Sequence, residues 1–221
     1  FVYIASHDLQ EPLRTVAGYI QMLERRYGSR LGEEADEFIR FAIAGAQRMQ
    51  ALIESLLLYS RVAKKERVFE PVELDEVLDI ALRNLAVRVE ETGAAIERAP
   101  LPRVQADRMQ MIQLFQNLLS NALKFAGEKP PRIHVTSRCE GGACSVSVRD
   151  EGLGFNPKYA ERIFQVFRRL RRDTPGTGIG LSICKKIMER HRGRIEAHSA
   201  PGAGATFTVH FAENPTLRGA S

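Results

Sequence analysis

Asp107-Arg108-Met109-Gln110-Met111-Ile112-Gln113-Leu114-Phe115-Gln116-Asn117-Leu118-Leu119-Ser120-Asn121-Ala122-Leu123-Lys124-Phe125 opens on a helix start signal and keeps one apolar face to its end. Asp107 with Gln110 three residues later has the form of a capping box, which satisfies backbone N–H groups left free in a first helical turn. Met111, Leu114, Phe115, Leu118, Leu119 and Ala122 recur at three- and four-residue steps and predict the buried face of a helix ending near Phe125. Asn117, Asn121 and Lys124 share a second, polar stripe at the same spacing. One polar stripe therefore points into a common space, and an amide carbonyl there can serve as an oxygen ligand for a hard cation.

Two glycine clusters follow this helix. Asp150-Glu151-Gly152-Leu153-Gly154 leaves a strand of small and branched residues, a place where a lone carboxylate has no evident structural duty beyond capping the next element. Gly176-Thr177-Gly178-Ile179-Gly180-Leu181 leads into a helix predicted over about 179–191, offering an anion several unpaired backbone N–H groups and a positive helix end. Glycine turns are common at helix starts, so this second cluster is weak evidence by itself. The basic cluster of Arg168, Arg169, Arg171 and Arg172 stands just before it and suits the phosphates of a nucleotide.

Around these motifs the patterning predicts a helix over about 75–91, a short strand near Ile96, and strands over 133–138 and 145–150 joined through Gly141-Gly142 as a hairpin. Further strands are expected near 194–198 and 206–211. Several strands with helices on one face give a two-layer α/β sandwich. A Rossmann arrangement does not fit, because neither glycine cluster is the first turn of a βαβ unit.

The N-terminal third has a different character. Val2, Ala5, Leu9, Leu13, Val16, Ile20, Leu23 and Tyr27 form one helical seam, and Phe38, Ala42, Gly45, Met49, Leu52, Leu56, Tyr59 and Ala63 form another. With a polar turn near Gly28 to Glu34 they predict an antiparallel helical hairpin. A further stripe of Ile39, Ile43, Ala46, Ile53 and Leu57 widens the apolar surface beyond what one partner helix covers, and a homodimeric four-helix bundle would bury both. In Ser6-His7-Asp8-Leu9-Gln10-Glu11-Pro12-Leu13, helical winding turns His7 away from the seam toward water, a position for chemistry rather than packing. The pattern fades over Arg61 to Arg67, so the domains are expected to span 1–67 and 68–221, and the fold class is α+β.

Composition bounds the function classes. The chain has 221 residues, 44% hydrophobic and 27% charged, with room for two modest cores. No apolar run approaches the roughly 20 residues that span a bilayer, so neither membrane insertion of this segment nor a non-cytoplasmic location is expected. The chain opens at Phe1 inside a helical pattern, and an upstream sensory part is expected. A formal charge of +5 raises nucleic acid as a partner. The basic residues gather at the arginine cluster and on one helix face (Lys185, Lys186, Arg190, Arg192, Arg194) with few aromatics interleaved, and nucleic acid is not expected. Cys139, Cys144 and Cys184 are odd in number and lack zinc spacing, which predicts reduced thiols. His134, His191, His198 and His210 have no companions and are expected to be structural or solvated.

Taken together and in this order, the His7 box, the asparagine helix and the two glycine clusters resemble the sensor histidine kinases over nearly the whole chain. The resemblance implies an ATPase fold shared with Hsp90-type chaperones, mismatch-repair ATPases and type II topoisomerases, joined here to a dimerisation and phosphoacceptor hairpin. It implies that His7 accepts a phosphoryl group from ATP and that Asp8 steadies the imidazole. It places Asn121 on Mg²⁺, Asn117 and Lys124 with the phosphates, Phe125 against adenine, and Asp150 on the adenine amino group, with Gly152 and Gly154 allowing close approach. Arg168 belongs to the lid implied over Arg168 to Pro175, anchored by Phe164 and Phe167, and Gly176, Thr177, Gly178, Gly180 and Leu181 to the phosphate-side glycine box. Gly204-Ala205-Thr206-Phe207 resembles the last glycine box, although a plain turn explains it as well. The implied partner is the receiver domain of a response regulator. Glu11 stands where many relatives have threonine or asparagine, thought to orient a water for dephosphorylating that partner, and the His-Asp-Leu-Gln-Glu-Pro box is similar to those of phytochrome-type kinases. Two other readings stay open: a phosphatase-dominant regulator using the same site, and a non-catalytic nucleotide-binding dimeric scaffold.

Overall fold

A computed structural model describes residues 2–64, 69–171, 174 and 176–212, with the side chains of 2–9, 11, 28–31, 33 and 61–64 left out of the description. Helix α1 (Val2–Leu31) continues through Pro12 and α2 (Glu33–Lys64) returns antiparallel to it. The expected polar turn over 28–34 shrinks to a single residue, because Gly32 takes a left-handed φ of 85° that ends one helix and admits the next. The two stripes of α2 are unevenly covered within one chain. Ala46 (3% exposed) and Leu57 (8%) are buried with Ile39, Ile43 and Ile53 half-buried, whereas Phe38 and Met49 of the first-named seam stand exposed. Val16, Tyr19, Leu23 and Phe41 are exposed as well, so a single hairpin leaves a broad apolar surface uncovered.

The remaining chain forms two layers. Strand β1 (Glu70–Glu73) pairs antiparallel with β3 (Arg103–Ala106), a small ribbon that the sequence did not predict. Helices α3 (Leu74–Asn84) and α4 (Ala86–Thr92) replace the single helix expected over 75–91, broken where Leu85 leaves helical geometry (φ −106°, ψ 6°). Strands β2 (Ala95–Arg98), β4 (Arg132–Glu140), β5 (Ala143–Asp150), β6 (Arg194–Ser199) and β7 (Ala205–Phe211) form one sheet in the order β2-β4-β5-β7-β6, with β2 parallel to β4 and the other pairs antiparallel. Val135, Val148 and Phe207 are aligned across three strands on its buried face, as are Val146 and Val209. Helices α5 (Arg108–Lys124) and α6 (Gly180–Arg190) cover that face.

The capping signal of α5 is realised: Asp107 Oδ1 accepts from Gln110 N–H at 3.2 Å, and all six predicted apolar residues are buried. His191, expected to lack companions, has three. Its Nε2 accepts from the Asp107 N–H (3.0 Å), its Nδ1 donates to the Ile187 carbonyl (2.8 Å), and its ring stacks on Phe69 at 4.6 Å. Burial holds its pKa below the ordinary value, against the opposing pull of the Ile187 carbonyl, and the bond that Nε2 accepts from the Asp107 N–H is open only to the neutral ring. The reduced-thiol expectation fails for two cysteines. Cys139 and Cys144 face each other across the β4–β5 hairpin and form a disulfide, because strand register brings them together where spacing alone gave no sign. Cys184 stays a free thiol in the core, pushed up to about 12 by burial. The boundary expected near Val68 falls outside the described residues.

Candidate functional site

Asp150 ends β5 at the mouth of a cavity of about 710 Å³ between the sheet's edge, α5 and the segment leading into α6. Its Oδ1 accepts from the N–H groups of Gly152 (2.9 Å) and Ala205 (3.2 Å), which fixes the carboxylate and leaves Oδ2 for a guest. Burial raises its pKa and the two hydrogen bonds oppose that rise. The side chain is held by close backbone packing. A Cβ on Gly152 would lie 2.3 Å from the Phe125 carbonyl, and one on Gly204 would lie 1.9 Å from the Asp150 carbonyl. Gly204 is therefore structural to this site rather than part of a plain turn, since its lack of a side chain lets the β6–β7 loop lie against the aspartate's own backbone.

The cationic end is built by α5 and the segment before α6. Lys124 stands with its ammonium 4.7 Å from the Phe125 ring centre and near Gly176. Burial lowers its pKa first, and the Arg169 and Arg88 guanidinium groups add to the lowering. Arg168 and Arg169 line the cavity with Gly176, Thr177, Gly178, Gly180 and Leu181, while Arg172 and Pro175 lie outside the described residues. Arg169 donates to the Thr174 carbonyl, and Arg168 donates to Gln165 Oε1 (3.2 Å).

Of the polar stripe on α5, Asn121 and Lys124 line the cavity with Phe125 and Asn117 does not. Asn117 lies behind Gly180, its Oδ1 accepting from Gln113 (3.4 Å) and its amide turned to the buried Cys184 thiol. Among the described residues no group of three or more His, Cys, Asp or Glu side chains is placed to hold a metal. The donor set is compatible with a divalent cation that would take the Asn121 oxygen as a protein ligand and nucleotide oxygens for the rest of its shell.

The helical hairpin meets this end of the cavity. Ser55 Oγ on α2 is hydrogen-bonded to Thr177 Oγ1 at 3.2 Å, and Leu52, Leu58 and Tyr59 pack against the core of the sheet domain. Equal rise on either side of the Gly32 turn puts Ser55 at about the axial level of Leu9, two residues along α1 from His7. His7 and Asp8 belong to α1, but their side chains lie outside the described residues. Sequence reasoning missed Arg88, Ser120 and Tyr159, which also line the cavity. The first two lie next to named features without belonging to a motif.

Comparison with known proteins agrees with this geometry. Residues 106–215 match the family profile described as histidine kinase-, DNA gyrase B- and HSP90-like ATPase, and residues 1–64 match that of the His kinase A phospho-acceptor domain. Cyanobacterial phytochrome A of Nostoc sp. is 50% identical over 209 residues, 94% of this chain and 27% of that protein. Phytochrome-like protein Cph1 of Synechocystis sp. is 48% identical over 94% of this chain and 28% of its own length. The chain thus spans about a quarter of the length of these curated relatives. Among solved structures, full-length ShkA in complex with AMPPNP is 26% identical and superposes with a TM-score of 0.71 over 97% of this chain and 46% of that one. A phosphoacceptor hairpin followed by an ATPase domain, each matching its profile and each recognised in its own geometry, makes this chain a member of the histidine kinase family, of the phytochrome type.

Proposed function

We propose that residues 1–67 and 68–221 act together as the catalytic core of a sensor kinase: ATP held in the cavity phosphorylates His7 within a homodimer, and the group then passes to an aspartate of a response-regulator receiver domain. The observation that carries this reading is the Ser55–Thr177 hydrogen bond, which sets the glycine-rich end of the cavity against the hairpin at the level of His7. Asp150 accepts from the adenine amino group through Oδ2, and Lys124 with the 168–180 segment takes the phosphates. The ShkA complex with AMPPNP supports nucleotide binding by a protein of this fold.

An unprotonated His7 nitrogen attacks the γ-phosphorus in line; the new N–P bond forms as the bond to the β–γ bridging oxygen breaks, and ADP leaves. Asp8 retains the proton on the other ring nitrogen and stabilises the imidazolium character that develops. Asn121 would hold a Mg²⁺ ion through its amide oxygen, and such an ion would supply charge neutralisation at the leaving group. No helix among the described residues is long and apolar enough to cross a membrane, and a cytoplasmic site of action with a light-sensing module upstream is part of the proposal.

Incubation of the chain with γ-labelled ATP is expected to give acid-labile, alkali-stable label that disappears in His7→Gln. Little self-labelling alongside faster dephosphorylation of a phosphorylated receiver domain would instead favour the phosphatase-dominant regulator. Nucleotide binding with neither activity would favour the scaffold.

A further inference from the structure

We infer that Arg88, on the short helix α4, binds nucleotide phosphate in this cavity as a third cationic arm beside Lys124 and the 168–171 arginines. The inference rests on the cavity being an ATP site. Arg88 belongs to no motif, and its helix was expected only as cover for the sheet. Its guanidinium Nη1 donates to Ser120 Oγ at 3.1 Å, which seats it on α5 beside Asn121 and one turn before Lys124. It lines the cavity with both.

Three features separate a ligand-binding role from a helix staple. Arg88 makes no ion pair within 4 Å among the described residues. The hydroxyl of Ser120 engages one of the five N–H donors that a guanidinium carries in a fixed fork, so the rest are free for a bidentate anion. Finally, Arg88 and Arg169 both bear on Lys124, whose pKa they depress together with burial. Like charges lining one cavity repel, and an anion between them relieves that repulsion. The only carboxylate among the described lining residues is Asp150, already committed through Oδ1 to two backbone donors. A polyphosphate carries negative charge enough for all three cations and oxygens enough for a forked contact.

Equilibrium binding to the 221-residue chain tests this, read by displacement of a fluorescent ATP analogue with ATP, ADP and adenosine as competitors. Arg88→Met keeps the aliphatic stem and removes the charge; its ATP and ADP dissociation constants are expected to rise at least about tenfold while that of adenosine stays at the wild-type value. Arg88→Lys is expected to recover part of the loss, and Ser120→Ala to cost less than Arg88→Met. Unchanged ATP affinity in Arg88→Met overturns the inference, as does equal weakening of ATP and adenosine, which would mark a loss of fold. Failure of the wild-type chain to bind ATP at all overturns the proposed function with it; wild-type binding with an indifferent Arg88→Met overturns this inference alone.

Discussion

Gly204 shows how a residue that touches no ligand can decide whether one binds. It holds φ at 76°, and its carbonyl accepts from Ser199 Oγ at 2.6 Å while the next residue's N–H donates to Asp150. A methyl group there meets the Asp150 carbonyl at 1.9 Å in a left-handed conformation already unfavourable to an L residue. Gly204→Ala is therefore expected to cost at least about 2 kcal/mol of stability and to weaken ATP binding by shifting the carboxylate. Thermal unfolding and ATP titration of the same variant read the two effects. If the affinity holds while stability falls, the contact is not what positions Asp150. The sequence showed this glycine in a cluster and left a plain turn equally open, since a clash with a strand end 54 residues away exists only once the sheet has formed.

Helices α5 and α6 are fastened by His191, and this joint gives the fold a pH dependence of known sign. The folded chain keeps the imidazole neutral, with a pKa below 6.5, whereas the unfolded chain binds a proton near 6.5. Stability from this group is complete above pH 6.5. It declines as the pH falls below that value toward the folded pKa, by at most about 1.4 kcal/mol per pH unit. Urea unfolding at pH 7.5 and 5.5 is expected to show wild type losing more stability on acidification than His191→Gln, although the variant is the weaker of the two at pH 7.5. A steeper loss in the variant would contradict the assignment. The asparagine helix was legible from start to stop because its cap and apolar face are local features. The joint was not, because Asp107 and His191 share no pattern and meet only through tertiary packing. For the same reason the β1–β3 ribbon escaped notice: strands of four residues hold two alternations at most. The break at Leu85 carries no glycine or proline to announce it.

At the scale of the whole molecule, the exposed apolar residues of the hairpin set its association state. Phe38 (63% exposed) and Met49 (50%) lie on one side of α2, roughly 100° round the helix from the stripe of Ile39, Ile43, Ala46, Ile53 and Leu57, so a second copy is the partner that suits them. Phe38→Glu with Met49→Glu is expected to shift the chain from dimer to monomer in sedimentation velocity while leaving ATP affinity unchanged. A dimer that survives both substitutions would show that another face holds it together. The sequence revealed both stripes, but helical periodicity gives the angle between two faces without saying which one the neighbouring helix will take.

Helix α2 carries on one rod the surface that suits a second chain and the hydroxyl that touches the glycine loop. A rotation of about 20° about its axis carries a side-chain tip roughly 2 Å sideways, enough to part Ser55 from Thr177. Any torque applied upstream that re-seats the bundle therefore reaches the phosphate end of the cavity by rigid gearing, with no need for the sheet domain itself to change shape.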